Sequence, residues 1–322
     1  FLSFIFEEKV RPFILTQLKA YLAKDNQIVV PLLGEKLMEI FNIIQKDFPS
    51  TIAVSRLNDI FKAIIDSLSI QHRLAEMFRP IINPIMNSLP LLENSKECQE
   101  FVLNSLQFFA VIAHDFTLSI KQLNLIENTI LTVFGNNPTQ AVFNGLIQIM
   151  NGDIIYSTSP TFIIRQPQVL PALLRIFMNT SRCTEVIKYI YDLCSYTTTN
   201  AISCHTSGLD RLLLEYLHSL SFGQIKTEKV DSEDQIDSEK DDKKTIDLIL
   251  ELFSKIAFLI SSPDVVSLYL SLLSPISGKG LPKHFEKVLL SLNSIVSSSL
   301  RSPVASIPFP KEKYKIDKRI DV

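Results

Sequence analysis

Glycine is scarce in this chain, with only 8 among 322 residues. Proteins that bind phosphates or dinucleotides usually do so through glycine-rich turns, which let the backbone approach the ligand closely. The sequence also contains no G-x-G-x-x-G, P-loop, G-x-S-x-G or H-E-x-x-H motif. These absences argue against nucleotide cofactors and against the hydrolase classes that carry such motifs. We predict no cofactor, no small-molecule substrate and no enzymatic activity.

Cysteine, positive charge and long apolar runs are limited as well. The four cysteines (Cys98, Cys183, Cys194 and Cys204) are too few and too scattered for a disulfide framework, which indicates reduced thiols. The net charge of −2 gives no overall basic character for nucleic acid. No run reaches the roughly 18 apolar residues that a membrane-spanning helix needs. We predict a cytoplasmic protein, and this prediction is compatible with an indirect or peripheral association with membranes.

Apolar residues at helical spacing are abundant. Hydrophobic residues make up 46% of the chain, and several segments repeat them three and four residues apart, as at Leu57, Ile60, Phe61, Ile64, Ile65 and Leu68. Helix starts are predicted near residues 31, 51, 72, 94, 119, 138, 167, 183 and 207. Every second start recurs at about 40–48 residues, close to the length of armadillo and HEAT helix pairs. We therefore predict an all-α fold, an armadillo/HEAT-like right-handed superhelix (α-solenoid).

Prolines mark several predicted helix starts and one predicted helix break. Pro31, Pro138 and Pro263 stand at predicted first helical positions, where the missing N–H is not needed. Asn137 and Ser262 are predicted to cap the second and third of these helices. Pro80 and Pro84 fall inside a helical pattern and are predicted to kink or split it.

Two segments depart from the helical pattern. Residues 226–244 read KTEKVDSEDQIDSEKDDKK and have almost no apolar side chains to offset the entropy lost on ordering. Residues 301–322 contain three prolines and then a run of mixed charge. We predict an armadillo-like helical repeat domain over residues 1–300, with a disordered acidic loop at 226–244. Residues 301–322 are predicted to be a linker or the start of a β-rich domain.

His114-Asp115 is the sharpest enzymatic pattern. Helical phosphohydrolases of the HD class hold a metal with an upstream His, a His-Asp pair and a later Asp, and the metal activates water. Here His72 would be the upstream ligand and Asp153 or Asp192 the later one. Because no second cluster of His and carboxylates accompanies the pair, a polar helix end is favoured over a metal site.

Cys183, Cys194, Cys204 and His205 lie near one another in the sequence and could suggest zinc. Structural zinc sites use tight pairs such as C-x₂₋₄-C, because two ligands from one turn must converge on the metal. The cysteines are spaced too widely for that arrangement. We predict small buried thiols here, and neither a metal site nor a Cys–His nucleophile.

The segment Leu193–His205, LCSYTTTNAISCH, continues into Gly208-Leu209-Asp210 and a leucine-rich helix. It resembles the armadillo-like helical region of Beige/neurobeachin-type BEACH-domain proteins in its serine- and tyrosine-bearing helix end, its "NAxxCH" pattern and its turn with "LD". Residues 260–266 and 303–308 look similar to the later part of that region in the family, just before a lectin-like sandwich. The resemblance implies a cytoplasmic scaffold linked to membrane trafficking, and it carries over no catalytic or binding residues.

Together these observations predict a non-enzymatic protein–protein interaction scaffold, the helical-repeat part of a larger BEACH-type protein in vesicle and membrane trafficking. The alternative is a karyopherin- or adaptor-like cargo carrier, and a metal-dependent phosphohydrolase of the HD class is more distant. The expected partners are proteins and not nucleic acid. No catalytic, cofactor-binding or metal-ligating residue is predicted.

Overall fold

A computed structural model describes residues 2–23, 29–70, 78–152, 157–221, 234–257, 263–273 and 285–301. Every regular element in these ranges is helical, and none of these residues lies in a β-strand. The predicted all-α fold class is therefore confirmed. None of the described helices combines the length and apolar content that crossing a membrane requires.

The chain divides into two compact units, Phe1–Leu209 and Asp210–Val322. The helices of the first unit are α1 Arg11–Leu22, α2 Val29–Gln45, α3 Thr51–Ile70, α4 Ile82–Ser88, α5 Lys96–Ile112, α6 Ile120–Phe134, α7 Gln140–Asn151, α8 Val169–Phe177, α9 Cys183–Tyr196 and α10 Thr198–Thr206. Short 3₁₀ turns lie at Leu2–Phe6, Arg79–Ile81 and Leu89–Leu91. At the boundary α11 Leu209–Ser221 begins, and α12 Asp234–Ala257, α13 Pro263–Ser271 and α14 Phe285–Arg301 follow.

The first eight described helices of the first unit pack in two rows. In one row α1 contacts α3, α3 contacts α5, and α5 contacts α7. In the other row α2 contacts α4, α4 contacts α6, and α6 contacts α8. From α1 to α8 each described helix meets the next but one, so the packing in this part of the unit repeats a helix pair at a time.

Side-chain bonds between these helices recur at similar sequence separations. Asn104 donates to Asn58 across 46 residues, and Arg175 donates to Glu127 across 48. Lys19 and Asp66, which are 47 residues apart, form an ion pair. These separations match the predicted repeat of about 40–48 residues.

Polar caps and glycines set several helix ends. Ser95 Oγ accepts a hydrogen bond from Cys98 N at 3.2 Å at the start of α5, and Ser119 with Gln122 forms a capping box at the start of α6. Gly152 ends α7 with φ +58°, a conformation that other residues adopt at a steric cost. A Cβ added at Gly152 would also lie 3.2 Å from Arg165 Cβ.

Buried phenylalanines form the centre of the first unit. The ring centroid of Phe61 in α3 lies 5.8 Å from that of Phe41 in α2, and 5.6 Å from those of Phe101 and Phe108 in α5. All of these contacts are edge-to-face, which suits the quadrupoles of the rings. Phe61 therefore joins three consecutive long helices.

Aromatic packing also holds α12, α13 and α14 of the second unit together. The rings of Phe253 and Tyr269 stack with their centroids 5.1 Å apart. The buried Tyr269 hydroxyl donates to the carbonyl of Val288 at 2.7 Å. Lys287 and Asp247 form an exposed ion pair between α14 and α12.

The predicted helix starts near 51 and 183 coincide with Thr51 and Cys183. Those near 31, 94, 119, 138, 167 and 207 fall within two residues of α2, α5, α6, α7, α8 and α11. The predicted start near 72 lies outside the described residues. The starts of α1, α4 and α10 were not predicted.

The proline predictions were only partly right. Pro31 was predicted to be the first residue of a helix, but it is the third residue of α2, which begins at Val29. Pro263 is the first residue of α13, as predicted, although Ser262 lies outside the described ranges. Pro80 lies in the 3₁₀ turn Arg79–Ile81, directly before α4; because residues 71–77 lie outside the described ranges, the predicted split of a longer helix there stays a prediction. The prediction for Pro138 and its cap Asn137 was wrong, because α7 begins at Gln140 after Thr139.

The structure differs from the disordered loop predicted over 226–244, because α12 begins at Asp234. In the sequence, acids at the start of this helix precede lysines about a turn later, an order that favours a helix through its dipole and through pairs four residues apart. Residues 226–233 and 302–322 lie outside the described part of the chain. The single domain over residues 1–300 stays a prediction.

Tyr189→Phe is expected to raise the free energy of unfolding by about 1 kcal/mol. The Tyr189 hydroxyl oxygen is buried and has no hydrogen-bond partner among the described residues, so removing it removes a desolvation cost. Burial also raises the pKa of Tyr189 above its ordinary value of 10.0. The folded protein therefore keeps this proton when the unfolded chain releases it, and stability is lost as the pH rises above about 10.

Urea unfolding at about pH 8 and about pH 10.5 measures both effects of this variant. The stability difference between Tyr189→Phe and the wild type should widen at the higher pH. Tyr196→Phe, on the exposed side of the same helix, serves as the control and should change nothing. A Tyr189→Phe variant less stable than the wild type would show that the hydroxyl is hydrogen-bonded in solution.

Candidate functional site

A groove crosses the N-terminal end of α3. It consists of two adjoining depressions, of about 650 and 330 Å³, which share Ile52 and Arg56. The end of α2 and the turn Leu2–Phe6 line the larger depression, and the starts of α1 and α5 line the smaller one. We call this surface the α3 groove.

Local sequence explains how α3 presents this surface. Ser50 caps the helix, since its Oγ accepts a hydrogen bond from Ala53 N at 3.3 Å and its carbonyl accepts from Val54 N at 3.0 Å. Ile52 and Arg56 are four residues apart and therefore share one face of the first turns. Ala53 is buried beside them, so the small side chain leaves room at the base of the groove.

The apolar part of the α3 groove is accessible to solvent. Ile52 is 65% exposed and Ile43 of α2 is 49% exposed, whereas Ile44 beside it is buried. Burying a large aliphatic side chain completely contributes about 1.5–3 kcal/mol to the free energy of binding. A ligand with apolar side chains would therefore gain affinity at both isoleucines.

Two arginines line the α3 groove, and they differ in their partners. Arg11 is engaged, because its Nε donates to Ile5 O at 3.0 Å and its Nη1 lies 3.4 Å from Asp59 Oδ2. The Nε of Arg56 is buried and has no hydrogen-bond acceptor in the part of the chain that the structure describes. A buried donor of this kind usually has a partner, from the protein, water or a ligand.

Three carboxylates limit what the groove attracts. Asp47 lines the larger depression, and Glu8 and Glu97 line the smaller one. A ligand with full negative charge would therefore meet like charge near Arg56. A neutral acceptor such as a peptide carbonyl can accept a hydrogen bond from Arg56 without that repulsion.

A second groove, of about 510 Å³, lies where the starts of α6 and α8 meet the end of α10. Its exposed Ile120 resembles Ile52, but its arginine is already paired. Arg175 Nε and Nη2 donate to the two carboxylate oxygens of the buried Glu127, both at 2.8 Å. This hydrogen bonding raises the pKa of Arg175, and burial opposes the rise. Because Arg175 is already paired with Glu127, a ligand would gain less binding energy from its guanidinium than from that of Arg56 in the α3 groove.

The structure does not assemble the HD-class residues in the ranges it describes. His114 Nδ1 lies 2.8 Å from Asp115 Oδ1, and both side chains are exposed. Arg79 Nη2 donates to the Asp115 carbonyl at 2.7 Å. Asp192 lies on α9, and His72 and Asp153 are outside the described residues. Among the described residues, no group of three or more His, Cys, Asp or Glu is arranged to hold a metal ion.

The cysteines are buried, as predicted, but two of them are much closer than their spacing suggested. The Sγ atoms of Cys194 in α9 and Cys204 in α10 lie 3.4 Å apart. Cys183 lies at the start of α9, and none of the four cysteines is in a disulfide. Sequence spacing alone misses this pair, because it does not reveal that α10 is a separate helix that turns back on α9.

Comparison with known proteins yields no relatives. No protein-family model matches the chain, no curated protein matches it, and no solved structure matches it.

Proposed function

We propose that the first unit is a protein-interaction scaffold that binds an extended, largely apolar segment of a partner protein in the α3 groove. The observation that carries this proposal is the buried Nε of Arg56, which has no acceptor among the described residues. A main-chain carbonyl of the partner would accept this hydrogen bond after the Arg56 side chain rotates and brings the buried Nε to the surface of the groove. Apolar side chains of the partner would cover Ile43 and Ile52, whose exposure otherwise leaves them in water.

The two rows of helices support the wider architectural proposal. Successive contacts between every second helix, from α1 to α8, are the packing that a right-handed superhelix of the armadillo/HEAT type would use. Such arrays present long surfaces for protein partners. A small-angle X-ray scattering profile that fits a sphere would contradict this shape.

Membership of a BEACH-type trafficking protein is a further part of the proposal. Its support is the resemblance of Leu193–His205 and the neighbouring segments to the helical region of that family. A transcript that encodes neither a lectin-like sandwich nor a BEACH module downstream would rule this part out and leave the scaffold proposal standing.

Selection of a phage-displayed random peptide library on the purified chain tests the groove directly. We expect enriched peptides that contain two or more apolar side chains. Arg56→Ala should weaken their binding by roughly 10–100-fold, because a hydrogen bond from a charged group contributes about 1.5–3 kcal/mol. Ile52→Asp should weaken it by at least about 10-fold, because it replaces apolar contact with a charge. Fluorescence anisotropy of the labelled peptides measures both changes.

Leu32→Asp is the matched control. Leu32 lies on α2 outside the groove and is 62% exposed, close to the 65% of Ile52. It should leave peptide affinity unchanged. Failure to enrich any peptide, or equal losses with Leu32→Asp and Ile52→Asp, would contradict the proposal.

A further inference from the structure

The thiols of Cys194 and Cys204 are held together by the turn between α9 and α10. Thr197 is the one residue between the two helices, and its backbone is extended. Its Oγ1 accepts from Thr199 N at 3.1 Å, which caps α10 as the chain changes direction. One turn before Cys204, Asn200 Nδ2 donates to the Leu193 carbonyl at 2.8 Å. Leu193 and Cys194 are neighbours on α9, so this bond fixes the two thiols against each other.

The distance between the sulfurs is short for two separate thiols. Their Sγ atoms lie 3.4 Å apart, and a disulfide bond of about 2.05 Å needs a further approach of only about 1.4 Å. Rotation of the two side chains can supply a movement of that size. Cys183 lies at the other end of α9, about 16 Å from Cys194 at 1.5 Å per residue, which is too far to compete for it.

We propose that Cys194 and Cys204 form a redox-sensitive pair, which hydrogen peroxide or an organic hydroperoxide oxidises to an intramolecular disulfide. The two thiols differ in access, because Cys194 is 7% exposed and Cys204 is 0% exposed. The oxidant therefore meets Cys194 first. Cys204 is the resolving thiol, screened from solvent and already in contact with its target.

The reaction balances with one hydroperoxide. The Cys194 thiolate attacks one peroxide oxygen, the O–O bond breaks, and hydroxide leaves and takes up the proton that the thiol released. The product is a sulfenic acid on Cys194. The Cys204 sulfur then attacks the Cys194 sulfur, the S–O bond breaks, and the departing hydroxide takes the Cys204 proton. In sum, two thiols and one hydrogen peroxide give one disulfide and two waters, and a small dithiol reverses the change.

The sequence makes the product easy to detect. Trypsin cuts after Lys188 and Arg211 and at no site between them, so one peptide, residues 189–211, carries both cysteines. Oxidation of the folded chain, followed by alkylation of the remaining thiols, should give this peptide lighter by about 2 Da than its fully reduced, unalkylated form. Chymotrypsin cuts after Tyr196, and the fragments on either side should stay joined until a reductant is added.

Matched variants assign the two roles. The variant with Cys98→Ser and Cys183→Ser should form the disulfide as readily as the wild type. Cys204→Ser should instead accumulate a sulfenic acid on Cys194, which dimedone traps. In Cys194→Ser, Cys204 should stay reduced and become alkylated only after unfolding.

Two results would overturn the proposal. One is a folded wild-type chain that shows no mass loss in residues 189–211 after excess peroxide. The other is a mass loss that appears only when the chain is oxidised in urea, since any nearby thiols can pair in an unfolded chain. A peptide-binding assay is not needed for either result, so the outcome is independent of the α3 groove.

Discussion

Replacing Phe61 by alanine should lower the free energy of unfolding by about 3–5 kcal/mol. The Phe61 side chain is 1% exposed, and its ring meets Phe41, Phe101 and Phe108 edge-to-face. The substitution removes a large apolar group from water-free surroundings and leaves a cavity among helices that are fixed by their other contacts. It also removes three aromatic contacts, each worth about 0.5–1.5 kcal/mol beyond area, so we expect a value near the upper limit.

Urea unfolding of the whole chain, followed by far-ultraviolet circular dichroism, measures this loss. Phe13→Ala is the matched control, because Phe13 lies on α1 with an exposed ring. It should change stability by less than about 0.5 kcal/mol. If Phe61→Ala cost no more than Phe13→Ala, the packing of α2, α3 and α5 around Phe61 would be wrong.

Replacing Asn200 by leucine should lower the free energy of unfolding by at least about 3 kcal/mol. Asn200 is fully buried, and its side chain bonds to three backbone groups. Its Oδ1 accepts from Ile164 N at 2.9 Å, and its Nδ2 donates to the carbonyls of Phe162 and Leu193, both at 2.8 Å. Leucine has a similar volume but no polar atom, so all three groups would lose their partner away from water.

Hydrogen exchange gives this prediction a local readout. The amide of Ile164 should lose protection in Asn200→Leu, because its acceptor is gone. Thr199→Ala, at the exposed neighbouring position of α10, should keep that protection and most of the stability. Unchanged exchange at Ile164 in Asn200→Leu would mean that another acceptor holds the amide.

The sequence was most informative where one helix repeats its apolar residues regularly. The predicted stripe from Leu57 to Leu68 is buried at every position, and α3 begins at the predicted residue. In α14, Val288 and Leu289 follow Phe285 at the same helical spacing of three and four residues, yet Val288 is buried and Leu289 is exposed. Periodicity identifies a face, whereas the width of the face that is covered depends on neighbours that the sequence does not specify.

The sequence did not predict the short helix α10 or the sites formed by tertiary contacts, for a different reason. The helix α10 begins among three threonines, whose branched side chains are weak helix formers, and the sequence pattern there did not predict it. Without α10, the contact of Cys194 with Cys204 could not be inferred. In the sequence, Arg56 is a polar residue directly before the apolar stripe that begins at Leu57, and nothing there distinguishes it from other polar residues of α3. Its missing acceptor becomes evident only when α1, α2 and α5 surround it.

The regular spacing of contacts in the first unit bears on its synthesis. Bonds between its helices span 38 to 48 residues in several instances, so a helix leaving the ribosome finds its partner after about one more helix pair has been made. At about 5–20 residues per second, that wait is roughly 2–10 s. Each new pair can then dock on a surface that has already formed. At any time during synthesis, the nascent chain therefore exposes the apolar faces of only about one helix pair to water.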